Sequence, residues 1–421
     1  LKGGKYLNNK DIQILRELAR KKSEIAHQEV QKENAKLWTD INDRKKTRPT
    51  VFIDEIPWHE MNVNDELTLQ AEDPFMRRIE LNLRRELYSW KYMPGTMIID
   101  NVIKSPIVFT DTGFGITENV DIAKTDENNT VVSRHFNIQI NSEEDIHKIK
   151  NPVVSVDLQK TEENFNILSS IFDNILEVEK TGVKGLWFTP WDNIVRWTGV
   201  QEALIDLALE PKYIEKLVER FVDASIIRLE QYEKLGLWAS NNDNTRVGSG
   251  GYGYTNTLEA AASLNSNAPL KQLWGCGNAQ IFSNVSPDMH WEFSLKHEMR
   301  WLEKFGLTYY GCCEPLHNKF HILDRIPNLR KISISPWADL DITREVAKDK
   351  YVLSVKPSPS IFAFEKWDPE LARSELRTIL EKTKGCSVEI ILKDISTVSY
   401  EPQRLWEWAR ITDEEIKEFY F

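Results

Sequence analysis

Three of the chain's four cysteines, Cys276, Cys312 and Cys313, fall in one stretch. It runs K-Q-L-W-G-C-G-N-A-Q from Lys271, then L-T-Y-Y-G-C-C-E-P-L-H, then L-R-K-I-S-I-S-P-W-A-D ending at Asp339. Each cysteine follows a short apolar run with no room for another helix. That is the pattern of successive strands joined by helices, with functional groups at the strand C-termini. Cys276 and Cys312 have 35 residues between them, about one strand–helix unit. In a closed parallel barrel they therefore sit on neighbouring strands at the same end. Zinc takes thiolate, imidazole and carboxylate ligands, and a catalytic zinc keeps one position open. Asp243, Cys276 and one of Cys312 or Cys313 come from three consecutive strands at equivalent height, a candidate three-ligand set. Free cysteines are more often small buried apolar residues, and strand alternation lets only one of the vicinal pair face the barrel axis. His317 and His321 stand at i, i+4, the spacing of a metal pair or equally of a surface helix. Cys386 precedes the last strand, on the opposite side, and reads as structural.

The same strand ends carry Trp187, Trp191, Trp238, Trp274 and Trp337, out of 14 tryptophans. An aromatic rim with few polar groups suits a planar apolar ligand better than a sugar or a nucleotide phosphate. The loop G-S-G-G-Y-G-Y at 248–254 has no helix start after it, so it is no dinucleotide fingerprint. It reads equally as a substrate loop or as plain turn chemistry.

Positioning these residues takes a repeating scaffold. Nine strand-like runs are present, at 51–54, 97–101, 185–189, 237–240, 271–275, 307–311, 331–335, 351–355 and 388–393. Each is mostly apolar, as a strand covered on both faces is. Helical patterns intervene at 73–92 (Asp73 as cap, Pro74 at the first position), 142–150, 158–181, 200–209, 211–235 and 368–384, and another opens at 400. The alternation favours a (β/α)8 TIM barrel over an open doubly wound sheet, with one run outside the barrel. Residues 1–49 read as an N-terminal helical extension with one long helix over 9–43. Its apolar stripe packs on the barrel or on a partner subunit, which leaves a homodimer open. Residues 50–421 form the barrel, and 106–140, alternating and rich in turn residues, form a β-hairpin insertion.

Composition narrows the class. The 421 residues exceed the roughly 250 of a typical barrel, and 41% hydrophobic content supports a large core. A mean hydropathy of -0.46 points to a soluble chain. No apolar run approaches the ~20 residues of a membrane span. The formal charge of -11, with dispersed acids, argues against a nucleic-acid partner. Four cysteines make no disulfide framework, so a reducing, cytoplasmic setting is expected.

The segments L-W-G-C-G-N-A-Q-I-F-S-N-V-S-P-D-M-H, Y-G-C-C-E-P-L, P-N-L-R-K-I-S-I-S-P-W-A-D and Y-V-L-S-V-K-P-S-P resemble the uroporphyrinogen decarboxylase-like superfamily. The resemblance runs from about residue 50 to the C-terminus and is strongest over 270–410. It implies a distorted (β/α)8 barrel and either decarboxylation or corrinoid-dependent methyl transfer. The Arg-rich signature of the decarboxylases is absent after the first strand, where V-F-I-D-E-I-P-W-H stands. The branch most similar contains the methyltransferases that begin aromatic O-demethylation of the veratrole type, described as zinc proteins with an Asp, Cys, Cys ligand order. Asp243, Cys276 and Cys312 or Cys313 match that order. The thiol methyltransferases instead use His-x-Cys and a later Cys; here Tyr310-Gly311-Cys312 and the Lys393-Asp394 region stand in those places.

The expected activity is therefore transfer of a methyl group from a small aromatic methyl ether to the Co(I) corrinoid of a separate carrier protein. Zinc would assist phenolate departure, Glu314 or Tyr310 would donate a proton, and the five tryptophans would hold the ring. Two rivals are a decarboxylase or lyase of a small aromatic or tetrapyrrole acid, and a non-enzymatic aromatic-binding module. The lyase needs a cationic clamp, for which Lys356, Lys393 and Arg196 are the strand-end candidates.

Overall fold

The computed structural model describes residues 8–123, 133–260 and 267–421. Residues 124–132, inside the expected hairpin insertion, lie outside the described set. The organising element is a seven-stranded sheet, every neighbouring pair of which is parallel. Its edge strand β1 (Thr50–Ile53) is followed in the chain by three smaller pairs. Of these, β2 (Val102–Pro106) lies parallel to β7 (Glu177–Thr181). The strands β3 (Phe109–Asp111) and β6 (Val154–Val156) run antiparallel, as do β4 (Val120–Ala123) and β5 (Ser133–Phe136). The main sheet then resumes with β8 (Trp187–Phe188), β9 (Trp274–Gly277), β10 (Leu307–Tyr310), β11 (Leu329–Ile334), β12 (Val352–Val355) and β13 (Ser387–Leu392). Its order is β1-β13-β12-β11-β10-β9-β8. The protein is thus α/β, with a mostly parallel sheet buried under helices, as the apolar runs require.

Seven of the nine expected runs lie in this sheet, and the two exceptions have a visible cause. Among the described residues, run 97–101 forms no strand of this sheet; of its backbone groups only Asn101 O, at its end, pairs with another strand, accepting from Glu177 N at 3.0 Å. The Gln31 side chain accepts from Ile99 N at 2.9 Å, and Asn34 Nδ2 donates to Met97 O at 2.9 Å, so side chains take the groups that a ladder would use. Run 237–240 makes a single parallel bridge, Val183 to Trp238. Beside it the Asn241 side chain accepts from Trp274 N at 2.9 Å and donates to Lys184 O at 2.7 Å, replacing backbone pairing.

The helix expected over 9–43 is two, Asn9–Ala26 and Glu29–Asn42. The first ends where His27 N returns to Ser23 O and Gln28 turns extended. Since no Pro or Gly marks the break, the apolar stripe reads through it. The helix expected over 158–181 stops at Phe172, after which Asn174 takes φ 61 and β7 begins. His317 lies in a turn before the short helix Phe320–Leu323, which contains His321, so the two share no helix. Asp73 caps the helix Pro74–Tyr92 by accepting from Phe75 N and Met76 N.

The Gly-rich loop is packed, not open. Residues 247–253 are all buried. A Cβ on Gly251 would stand 2.1 Å from the Trp38 ring, so only glycine lets the backbone pass. Beneath it the fully buried Lys331 ammonium meets Glu389 Oε2 at 2.8 Å, and Glu389 Oε1 accepts from Gly251 N at 3.2 Å and from the Ser354 hydroxyl.

Candidate active site

Register decides which side chains of β9 and β10 share a face. Cys276 pairs with Tyr309, and Trp274 with Leu307. These four cluster with Val247 and Leu258 on the loop-covered face. Tyr310 therefore faces the helices. It is fully buried, and its hydroxyl lies 2.8 Å from His290 Nε2. Burial, then the nearby Glu298 and Glu314, hold its phenol well above the usual range.

The strand ends at Tyr310, and Gly311 turns the chain at φ 99, a left-handed geometry that suits glycine. Alternation stops there. Cys312 and Cys313 consequently do not point to opposite faces: their sulfurs are 3.6 Å apart. The turn is held by Glu314, whose carboxylate accepts from Cys312 N at 2.8 Å and from Ala279 N at 3.2 Å, tying the ends of β10 and β9 together. Glu314 is fully buried, and burial raises its carboxyl. Neither Glu314 nor Tyr310 lines the cavity beside the cysteines.

That cavity, about 320 Å³, is bounded by Cys313, Trp337, Lys356, Lys393, Asp394 and the 357–360 turn. Lys393, the first residue after β13, is its electrostatic centre. Its ammonium lies 3.7 Å from Cys312 Sγ, 2.9 Å from Asp394 Oδ2 and 3.4 Å from Glu55 Oε2. Burial alone would depress this lysine, but the Cys312 sulfur, Asp394 and Glu55 outweigh it and hold the ammonium above the ordinary lysine range. Cys312 is the counterpart. The hydrogen bond from Cys313, opposed by burial and helped by Lys393 and Lys356, brings its thiol down to about 7. Cys313 is driven the other way by the same bond. Arg246 extends the charge cluster by pairing with Asp54 and, at 3.2 Å, with Glu55, while its buried Nη2 has no partner among the described residues. Lys356 reaches the Ser333 hydroxyl at 2.6 Å and Tyr309 Oη at 3.2 Å.

The proposed zinc donors do not converge here. Asp243 is held by Lys184 through Oδ2 and accepts from Thr245 N at 2.9 Å through Oδ1. Cys276 donates to Leu186 O at 3.5 Å, and burial pushes its thiol up to about 12. Among the described residues no group of three His, Cys, Asp or Glu side chains is placed to hold a metal. The donor set read from the strand ends therefore does not fit a zinc ion in this arrangement. Order along the strands was legible, but not that Lys184 and Thr245 already occupy the Asp243 oxygens.

The tryptophans divide likewise. Trp337 and Trp187 are 76% and 47% exposed. Trp191 is buried and donates to Phe293 O at 3.0 Å, Trp238 packs on Tyr232 and Phe305, and Trp274 donates to Gly253 O at 2.8 Å. Only Trp337 lines the cavity. A larger hollow of about 550 Å³ lies toward Lys184, lined by Lys22, Glu86 and Asp100. Several of its charges are already paired, with Lys22 at 2.9 Å from Glu86 and 3.2 Å from Asp100, while Arg85 lies over the Trp58 ring.

The two thiols differ enough to be told apart chemically. Iodoacetamide labelling of Cys312 is expected to rise with pH through a midpoint at about 7, because only the thiolate attacks. Cys276, up at about 12, stays unlabelled at neutral pH. Peptide mapping reads both, and equal labelling at neutral pH contradicts the assignment.

No protein-family model matches the chain. Among curated proteins it is similar to the C/D subunit of NADH-quinone oxidoreductase from Ectopseudomonas mendocina (strain ymp). The identity is 28% over 198 residues, which is 45% of this chain and 31% of that protein. The chain thus spans about a third of the length of the curated relative it matches. Among solved structures it is similar to a methyltransferase from Methanosarcina mazei, with a TM-score of 0.50 and 12% identity over 92% of this chain and 99% of that one. This second likeness runs nearly end to end and is one of fold. Among the described residues no helix is long and apolar enough to cross a membrane.

Proposed function

We propose that the protein is a methyltransferase that moves a methyl group from a small aromatic methyl ether to the Co(I) corrinoid of a separate carrier protein. The observation that carries this reading is the Lys393 ammonium, buried among Cys312, Asp394 and Glu55 at the wall of a cavity that Trp337 flanks. The reduced corrinoid supplies the nucleophile, so this chain's task is the leaving group. As the C–O bond breaks, its electron pair goes to the phenolate oxygen. Lys393 offsets that charge where water is partly excluded, the part that the sequence resemblance gives to zinc. An ammonium held above the usual lysine range is a poor acid, so it acts as a fixed charge and not as a proton donor. Trp337 offers its exposed face to the ring.

The scaffold that this reading assumes is a closed (β/α)8 barrel over 50–421, with 1–49 as a helical extension. Three contacts support closure. Thr96 N donates to Val51 O at 3.0 Å beyond the β1 edge, Asn244 Nδ2 reaches Asp100 Oδ2 at 3.2 Å, and Val183 bridges Trp238 beyond β8. The extension is stitched on by Trp38 Nε1 to Thr96 O at 2.8 Å and Asn42 Nδ2 to Tyr252 O at 2.8 Å.

A second reading, a lyase of a small aromatic acid, is favoured by one observation: Lys356 and Lys393 both line the cavity and would clamp a carboxylate. The deciding assay incubates the protein with a reduced corrinoid carrier and veratrole or guaiacol. The expected result is a change in the corrinoid's visible spectrum with release of the phenol. CO2 released from an aromatic acid, with no demethylation of any ether, supports the lyase instead.

A further inference from the structure

We infer that Cys312 and Cys313 form an oxidation site at which a hydroperoxide converts the vicinal thiols reversibly to a disulfide. The geometry is unusual for neighbours in sequence. In a strand they would diverge, but the turn at Gly311 brings the sulfurs to 3.6 Å. The two are also unequal. Cys312 Sγ has the Lys393 ammonium 3.7 Å away and is nearly buried, whereas Cys313 is part-exposed and lines the cavity. A cation beside one thiol favours its thiolate, and a second thiol within reach is the arrangement of a reactive and a resolving cysteine.

The steps balance. The Cys312 thiolate attacks one peroxide oxygen, the O–O bond breaks, and hydroxide or alkoxide leaves as Cys312 becomes a sulfenic acid. The Cys313 sulfur then attacks Cys312 Sγ, an S–S bond forms, the S–O bond breaks, and water leaves with the Cys313 proton. Adjacent Cα atoms stand about 3.8 Å apart, below the roughly 4.4–6.8 Å of ordinary disulfides, so the ring is strained and easily reduced by a thiol. Closing it removes the thiolate that faces Lys393 and draws the two sulfurs from 3.6 Å to bonding distance at the cavity wall. This chemistry requires only the two sulfurs and the lysine, and holds whichever substrate the cavity takes.

The test treats the whole protein with stoichiometric hydrogen peroxide, blocks free thiols under denaturing conditions, and maps the peptides. The 312–313 peptide should lose two hydrogens and escape blocking, Cys276 and Cys386 should remain blocked as thiols, and dithiothreitol should restore the pair. In Cys313→Ser the reaction should stop at a Cys312 sulfenic acid that dimedone traps. Lys393→Met should slow oxidation about tenfold. Phenylarsine oxide, which requires two thiols together, should protect the wild-type pair. Oxidation of Cys276 or Cys386 before the pair, or no dimedone adduct in Cys313→Ser, overturns the inference.

Discussion

Lys393→Met is expected to lower kcat/KM for methyl transfer by about 10²–10³-fold, the loss seen when one preorganised donor is removed from a developing oxyanion, or ~2.7–4 kcal/mol. The effect should fall mainly on kcat, since the charge it meets exists only as the C–O bond breaks. The size follows from the surroundings. Lys393 is the ammonium shared by Cys312, Asp394 and Glu55, and without it these acidic groups face one another across the cavity wall. Lys393→Arg keeps the charge and should recover part of the rate, although its flat fork does not fit a lysine's place. The variant also carries its own structural control. The Cys312 thiol loses a neighbour that holds it down, so its labelling midpoint should move up while the other cysteines behave as before. A Lys393→Met protein with an unchanged kcat removes the charge-offset mechanism. One that lost aromatic-acid decarboxylation instead would assign the same lysine to a carboxylate clamp.

Much of the scaffold was legible because a buried parallel strand announces itself by an unbroken apolar run. V-L-S-V at β12 and S-V-E-I-I-L at β13 read correctly to within a residue or two. What failed did so where side chains replace backbone. Gln31 and Asn34, over 60 residues away in the chain, take the amide and carbonyl of Ile99 and Met97, and no local pattern reports that. The site was half legible for a related reason. That Cys312, Cys313 and Trp337 belong together follows from their places after strands. That Tyr310 faces the helices depends on the register of Tyr309 with Cys276, and the convergence of two adjacent sulfurs depends on the left-handed turn at Gly311. Lys393 was visible as a strand-end residue but not as the centre, because Glu55 reaches it from the far end of the chain and is itself braced by Arg246. The zinc set turns on the reverse point: Asp243 has the right type and place, and in this structure a lysine from a neighbouring segment holds it.

The largest effect on stability is expected from Lys331→Met. Lys331 and Glu389 are both fully buried, and the ion pair between them, at 2.8 Å, lies across β11 and β13 under the Gly-rich loop. Burial pulls the lysine below its usual range, and Glu389 opposes this. Lys331 also donates to Tyr252 O at 3.1 Å and stands over the Trp274 and Trp38 rings at 5.3 and 5.7 Å. Removing it leaves the Glu389 carboxylate buried with, among the described residues, only the Ser354 hydroxyl and Gly251 N as donors, a loss of about 3–5 kcal/mol by analogy with other broken buried pairs. The double variant Lys331→Met/Glu389→Leu removes both charges together and should be far less destabilised, since a pair replaced by apolar groups is often close to neutral. Guanidinium unfolding of the two singles and the double measures the coupling, and additive losses refute it. The consequence reaches the cavity. Glu389 fixes Gly251, the same loop begins at Arg246, and Arg246 holds Glu55 against the Lys393 side of the site. Lys331→Met should therefore loosen the loop and weaken catalysis beyond what its folded fraction explains. The double variant should then show whether the carboxylate that holds Gly251 serves the site as well as the core: restored stability with activity still low would mean that it does.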